Sequence, residues 1–272
     1  MGKDQIASAG NLRIVQFTDT HLFTTPTGIL DGVNTLASFE EVIDLARRTH
    51  WPVDAVVVTG DLAHETTPEA YRLLRQCLTP LGAPVYCLPG NHDDPRIMTQ
   101  VLPGDNVYLA DATGIGPWQL TFLSTYVPGK EGGHLHATEF ERLEQCLQTH
   151  RDRPTLVCLH HPPVPIQSPW MDAMALDNAD DFFALIDRFK QVRAVIFGHI
   201  HQAFSALRKG VCLLGSPSTC VQFKPRVASY MKDNKRAGYR WLVLAPDGQI
   251  QTGIQRLGDR GGGNNAFLGE GP

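Results

Sequence analysis

Three consecutive valines, Val56-Val57-Val58, running into Thr59-Gly60-Asp61 constrain this chain more than any other stretch. Such a run suits a strand covered on both faces, and a carboxylate directly after it is costly to bury unless it has a charged partner at the strand's carboxyl end. The pattern recurs. Ile14 to Thr18 leads to Asp19-Thr20-His21, Val85 to Pro89 to Gly90-Asn91-His92-Asp93, Thr155 to Leu159 to His160-His161, and Ala194 to Phe197 to Gly198-His199-Ile200-His201. Ligands of open α/β sheets bind outside the carboxyl ends of the strands, so these apolar runs predict one shared site.

Between the runs the apolar residues recur at helical spacing. Leu36, Phe39, Val42, Ile43 and Ala46 predict a helix closed by Pro52, and Pro68 to Leu78 predicts another with proline in its first turn. Repeated β-loop-α units imply an α/β fold with a largely parallel sheet. From Val211 the expectation is antiparallel, with strands at Val211 to Leu214, Ser218 to Phe223, Tyr239 to Leu244 and Gln249 to Gln255, the last two joined by an Asp247-Gly248 turn. Residues 1–257 read as a single domain and the glycine-rich stretch 258–272 as a mobile tail.

Composition excludes several function classes. A net charge of −4 supplies no global attraction for nucleic acid or anionic lipid. Met1 to Asn11 lacks a signal peptide's apolar core, and no run approaches the ~18 residues that cross a bilayer, which predicts a soluble cytoplasmic protein. The six cysteines form no CxxC pair and read as free thiols.

Asp19-x-His21 and His199-x-His201 share a spacing that puts both side chains on one side of an extended backbone. With Asp61, Asn91 and His160 they offer seven oxygen and nitrogen ligands, too many for one tetrahedral zinc and enough for two metals sharing a carboxylate. Mixed imidazole and carboxylate donors suit manganese, iron, zinc or cobalt better than magnesium or calcium. Two divalent ions against Asp19 and Asp61 leave net positive charge, which attracts phosphate. His134-x-His136, in a glycine-rich loop with no apolar strand before it, reads as solvated; His64 fits no ligand motif, and His50 and His150 read as helix-end residues.

Taken in order, Asp19-x-His21, Gly60-Asp61, Gly90-Asn91-His92-Asp93, His160-His161 and Gly198-His199-x-His201 resemble the five motifs of the calcineurin-like metallophosphoesterases. The flanking words Thr18-Asp19-Thr20-His21-Leu22-Phe23, Gly32-Val33-Asn34-Thr35, Asn178-Ala179, Gly198 to Gln202 and Pro217 to Pro225 further resemble the bacterial class III cyclic AMP phosphodiesterases. The resemblance implies an αββα sandwich of two mixed sheets flanked by helices. It implies that Asp19, His21, Asp61 and His201 hold one metal and Asp61, Asn91, His160 and His199 the other, with Asp61 bridging. Iron and manganese are the first expectation, with zinc and cobalt compatible. By the family's His-x-Pro pattern His160 is the ligand, leaving His161 as a substrate contact or outer support.

The expected reaction is hydrolysis of 3′,5′-cyclic AMP to 5′-AMP, a hydroxide generated between the metals attacking phosphorus in line. His92 is the candidate acid for the departing 3′ oxygen, with Asp93 orienting its ring. Substrate contacts are expected from His21, Asp61, Asn91, His92, His161 and His201. The alternatives are a broader phosphodiesterase or phosphomonoesterase and a catalytically inactive metal-dependent scaffold. The expected partner is the small-molecule substrate, without nucleic acid or membrane, in a monomer or homodimer.

Overall fold

The triple valine forms its strand because each residue finds apolar cover, Val57 on one face and Val56 and Val58 on the other. In the computed structural model, which describes residues 10–259 and 266–268, the chain runs β1 (Leu12–Phe17), β2 (Ile29–Leu30), β3 (Val33–Asn34), α1 (Thr35–Thr49), β4 (Ala55–Thr59), α2 (Pro68–Leu78), β5 (Val85–Leu88), α3 (Pro95–Val101), β6 (Val107–Tyr108), β7 (Ala112–Ile115) and β8 (Trp118–Phe122). It continues through α4 (Ala137–Thr149), β9 (Thr155–Cys158), α5 (Pro169–Asp172), α6 (Ala179–Ile186), β10 (Val192–Phe197), β11 (Phe204–Arg208), β12 (Val211–Gly215), β13 (Gly238–Leu244), β14 (Ile250–Arg256) and β15 (Ala266–Leu268).

Two large sheets result, ordered β15-β14-β13-β1-β4-β5-β6 and β11-β12-β10-β9-β8-β7, beside a small antiparallel pair of β2 and β3. Their centres are parallel, β1 with β4 and β5 in the first and β8, β9, β10 and β12 in the second. Antiparallel strands flank them: β13 pairs with β1, β11 with β12, and β7 with β8. Leu12, Ile14, Ala55 and Val57 of one sheet meet Leu156, Cys158, Ala194 and Ile196 of the other in a buried layer. Val15, Phe17, Val56 and Val58 face α1 and α2 through Phe39, Val42, Tyr71 and Leu74, while Val157 and Val195 face α4 and α6 through Leu143, Leu147 and Phe182. Helices therefore cover both outer faces, giving the expected αββα sandwich.

Three details differ from expectation or extend it. Ser218 to Phe223 is no strand; its amides serve loops instead, Thr219 donating to the Thr18 carbonyl at 3.1 Å and Phe223 to the His201 carbonyl at 3.3 Å. The strand Phe204–Arg208 was not anticipated, because its half-exposed alternation, with exposed residues between, carries little apolar signal. Within the stretch expected to be a mobile tail, Ala266–Leu268 pairs antiparallel with β14, and residues 260–265 and 269–272 lie outside the described residues.

Candidate metal centre

Loops leaving the carboxyl ends of β1, β4, β5, β9 and β10 bring Asp19, His21, Asp61, Asn91, His160, His199 and His201 together. Alternation along an extended backbone is not what aligns them. Asp19, His21, Asp61, His199 and His201 all lie in the left-handed region, with φ of 53°, 45°, 50°, 66° and 47°. Each such residue costs about 1–3 kcal/mol unless its surroundings over-determine it. Here backbone bonds do so: Asp19 N–H donates to the Gly60 carbonyl at 3.0 Å and His21 N–H to the Asp61 carbonyl at 2.9 Å. Ser218 Oγ donates to the Asp19 carbonyl at 2.7 Å, so the Ser218 segment supports the site from beside it.

Close approach explains the glycine that precedes Asn91. A Cβ on Gly90 would sit 2.2 Å from Asp61 Oδ1 and 2.3 Å from the Asp61 nitrogen. Only hydrogen fits there.

Hydrogen bonding fixes which ring nitrogens face inward. His201 Nδ1 meets the Val221 carbonyl at 2.7 Å and His160 Nδ1 the Thr59 carbonyl at 2.7 Å, so both Nδ1 atoms donate and both Nε2 atoms point inward. His201 Nε2 lies 3.4 Å from Asp19 Oδ1 and 3.2 Å from His21 Nε2. His160 Nε2 lies 3.3 Å from Asp61 Oδ1 and 3.1 Å from Asn91 Oδ1. Asp61 turns its other oxygen, Oδ2, toward His21 Nε2 at 3.6 Å. One carboxylate thus faces both clusters.

Burial sets the electrostatics. It holds the His21 and His199 imidazoles well below their ordinary range. On Asp61 burial favours the neutral acid, but the charge and hydrogen bond of His160 outweigh it and hold the carboxyl well below the usual range. Burial likewise opposes charge on His160, and Asp61 overcomes it, raising that imidazole to about 9.

The donor set fits metal ions. Asp19 and Asp61 are buried with no Lys or Arg partner among the described residues, His199 Nε2 is buried without a hydrogen-bond partner, and the donor atoms of Asp19, His21, Asp61 and His201 lie within 4.8 Å of one another. Buried carboxylates and inward lone pairs call for compensating cations. Asp19, His21, Asp61 and His201 would hold one ion; Asp61, Asn91, His160 and His199 would hold the other.

The remaining site residues sort by contact. His92 is exposed at the mouth, edge-on to His21 with centroids 5.0 Å apart, and its backbone N–H donates to Asp61 Oδ1 at 2.9 Å. Asp93, expected to orient that ring, is turned away from it: its carboxylate accepts from the amides of Leu62, Ala63 and Gly90 and from the Tyr71 hydroxyl. Four donors fill its lone pairs. His161, expected to touch substrate or support the site, lies behind His160 and His199. It is fully buried, Nδ1 meets Thr125 Oγ1 at 2.7 Å and Nε2 the Glu131 carbonyl at 3.0 Å, and burial lowers its imidazole to about 3. Gln222 donates to the Ser218 carbonyl and accepts from Arg256.

Sequence reasoning passed over one neighbour. His64 lies parallel to His92, centroids 5.7 Å and planes 19° apart, and 5.8 Å from His21. Its position three residues after Asp61 was the available signal. His134 is half-buried and paired with Asp177 at 2.6 Å.

Comparison with known proteins gives a consistent picture. A family model described as calcineurin-like phosphoesterase matches residues 12–203. The chain is 36% identical over 253 residues to the 3′,5′-cyclic adenosine monophosphate phosphodiesterase CpdA of Pseudomonas aeruginosa, covering 93% of each. It is 37% identical over 255 residues to the protein of that name from Escherichia coli strain K12, again covering 93% of each. A 3′,5′-cyclic-nucleotide phosphodiesterase of a Nostoc species is 37% identical over 246 residues, covering 90% of this chain and 92% of that one. Among solved structures, a dimetal phosphatase from Danio rerio superposes with a TM-score of 0.69 at 12% identity, covering 95% of this chain and 99% of that one. GAP50, described as the anchor in the inner membrane complex of Plasmodium, superposes with a TM-score of 0.68 at 11% identity, covering 95% and 88%. The fold alone does not decide activity; the side chains at its rim do.

Proposed function

The chain belongs to the calcineurin-like phosphoesterase family, and from that membership we propose that it hydrolyses 3′,5′-cyclic AMP to 5′-AMP at a dinuclear centre. The observation that carries the substrate is the set of relatives named as cyclic AMP phosphodiesterases along nearly their whole lengths. Iron and manganese are the ions favoured for imidazole and carboxylate donors, with zinc and cobalt also compatible. Bound there, two cations would supply Lewis acidity toward the phosphoryl oxygens and acidify a water to serve as nucleophile.

The chain's own residues supply the rest. Asp61 spans both clusters and fixes their separation. Its Oδ1 is held by the His92 amide, which also sets the His92 ring at the mouth. His92 delivers a proton to the departing 3′ oxygen. Asp93 serves this step by tying the loop of Leu62 and Ala63 to Gly90, one residue before the ligand Asn91. Buried His161 braces the cluster, its ring 4.6 Å from that of His199. An inactive scaffold would need neither a complete ligand set nor an exposed imidazole beside it. Free thiols at all six cysteines support a reducing compartment, the cytoplasm, and no helix among the described residues is long and apolar enough to cross a membrane.

The test is an assay of metal-reconstituted protein on cyclic AMP with product identification. Release of 5′-AMP, and a loss of about 10²-fold or more in turnover in His92→Ala, are the expected results. Turnover of an aryl phosphodiester with none of cyclic AMP would move the assignment to a broader phosphodiesterase.

A further inference from the structure

Phe223 joins the metal centre to an aromatic cluster that phosphoryl chemistry does not use. Its ring lies flat on His201, centroids 4.0 Å and planes 5° apart, and it packs edge-on against Trp170 at 5.3 Å and Tyr230 at 5.4 Å. Trp170 and Tyr230 meet at 5.6 Å and 89°, closing a triangle of rings. The cluster is tethered from both sides. Arg226 N–H donates to Ser168 Oγ at 2.9 Å, two residues before Trp170, and the Tyr230 hydroxyl and Lys232 ammonium both donate to Asp31 in the turn between β2 and β3.

Burial of these rings is incomplete where a folded chain would favour it. Of the five large apolar side chains exposed among the described residues, Tyr230 (49%), Met231 (45%) and Ile29 (62%) lie on the two segments joined at Asp31. Trp170 Nε1 is shielded from water and has no acceptor among the described residues, an unmet donor that costs about 1–3 kcal/mol. Exposed aromatic surface beside the metal centre suits a binding surface for a flat, apolar-faced group.

We propose that Trp170, Phe223 and Tyr230 form the subsite that stacks the purine of the cyclic nucleotide, an inference that rests on the cyclic AMP reading above. The His201 ring turns Nε2 toward the centre and carries Phe223 on one face, so these rings lie beside the position of phosphorus, where a base one ribose away can reach them. Base stacking on aromatic side chains needs no charged partner, and the Lys232 ammonium beside the cluster is already engaged with Asp31.

The test compares Trp170→Ala and Tyr230→Ala with wild-type metal-loaded protein, using cyclic AMP as substrate and adenosine and inorganic phosphate as competing inhibitors. A stacked base lost from either ring raises KM for cyclic AMP about 5- to 150-fold and weakens adenosine inhibition in proportion, while inhibition by inorganic phosphate holds. Tyr230→Phe keeps the ring and drops the bond to Asp31, so its KM rises less than that of Tyr230→Ala. Trp170→Phe carries the Trp170 test where the alanine protein does not fold. Unchanged KM and adenosine inhibition in both alanine proteins, with cyclic AMP still hydrolysed, overturns the subsite and leaves the function standing. Equal weakening of adenosine and phosphate, or a Tyr230→Phe protein as impaired as Tyr230→Ala, assigns the cluster to support of the centre and also overturns it. Wild-type protein inert toward cyclic AMP but active on an aryl phosphodiester overturns both.

Discussion

Tyr71 donates its hydroxyl to Asp93 Oδ1 across 3.0 Å, and the Tyr71 hydroxyl oxygen accepts from the Asp94 amide at 2.9 Å. A helix of the outer layer is thereby fastened to the loop that carries Asn91 and His92. Tyr71→Phe removes both bonds and leaves the Asp94 amide unmet, so unfolding free energy falls by about 1–3 kcal/mol. Asp93→Asn turns an amide N–H₂ into a nest of donors and costs more. Urea unfolding midpoints measure both; an Asp93→Asn protein as stable and as active as wild type would show that the fastening is idle.

Gly90→Ala is expected to abolish ion binding. The new Cβ collides with Asp61 at 2.2 Å and with backbone that cannot give way. Unlike a ligand substitution, it removes no donor atom. Metal content per chain, read by elemental analysis of the purified variant, decides it; a full complement would mean that the loops relax cheaply.

Chelation should lower the unfolding midpoint as well as activity. Each site filled at a free-ion concentration 100 times its Kd adds about 2.7 kcal/mol to the folded state. Asp61→Ala removes the one carboxylate that faces both clusters, so it should lose both ions together and match chelated wild type in activity. Retention of one ion with the other lost would show that Asp61 does not serve both.

Far from the centre, His50 Nδ1 meets the Tyr239 hydroxyl at 2.6 Å and the ring stacks on Trp241 at 5.2 Å. Burial, with Arg13 nearby, lowers this imidazole from 6.5 to about 4. Between those values the unfolded chain takes up a proton that the folded chain refuses, so stability is lost as pH falls through that window, by at most about 3 kcal/mol. His50→Gln should flatten that part of the stability profile. Unfolding midpoints at pH 7 and 4.5, compared between the two proteins, measure the difference.

The residues that converge at the rim were legible because the apolar runs that carry them are unambiguous, and the fold followed from the same runs. Their conformation was not. The left-handed backbone at Asp19, His21, His199 and His201 arises from bonds between loops far apart in sequence, such as Asp19 to Gly60, which no local pattern encodes. Ser218 to Phe223 misled for a related reason: its β-branched and aromatic residues suit a strand, but its polar groups are spent on Asp19, Thr18 and His201. Asp93 and His161 were each read from adjacency to a candidate ligand, whereas the groups they contact, Tyr71, Thr125 and Glu131, come from other segments. The polar chain buried between the sheets, in which Arg240 Nε donates to Ser216 Oγ at 3.2 Å and Ser216 Oγ to Gln16 Oε1 at 2.6 Å, was equally silent in the sequence.

The antiparallel pairing of Gly238–Leu244 with Leu12–Phe17 bears on how this molecule is made. On the ribosome the N-terminal strand emerges early, yet one of its edges stays bare until some 220 further residues have been synthesised, as the Gln16 to Arg240 register requires. Nascent chains arrested before that point should stay susceptible to protease in their first segment, and those released beyond it should become resistant in one step.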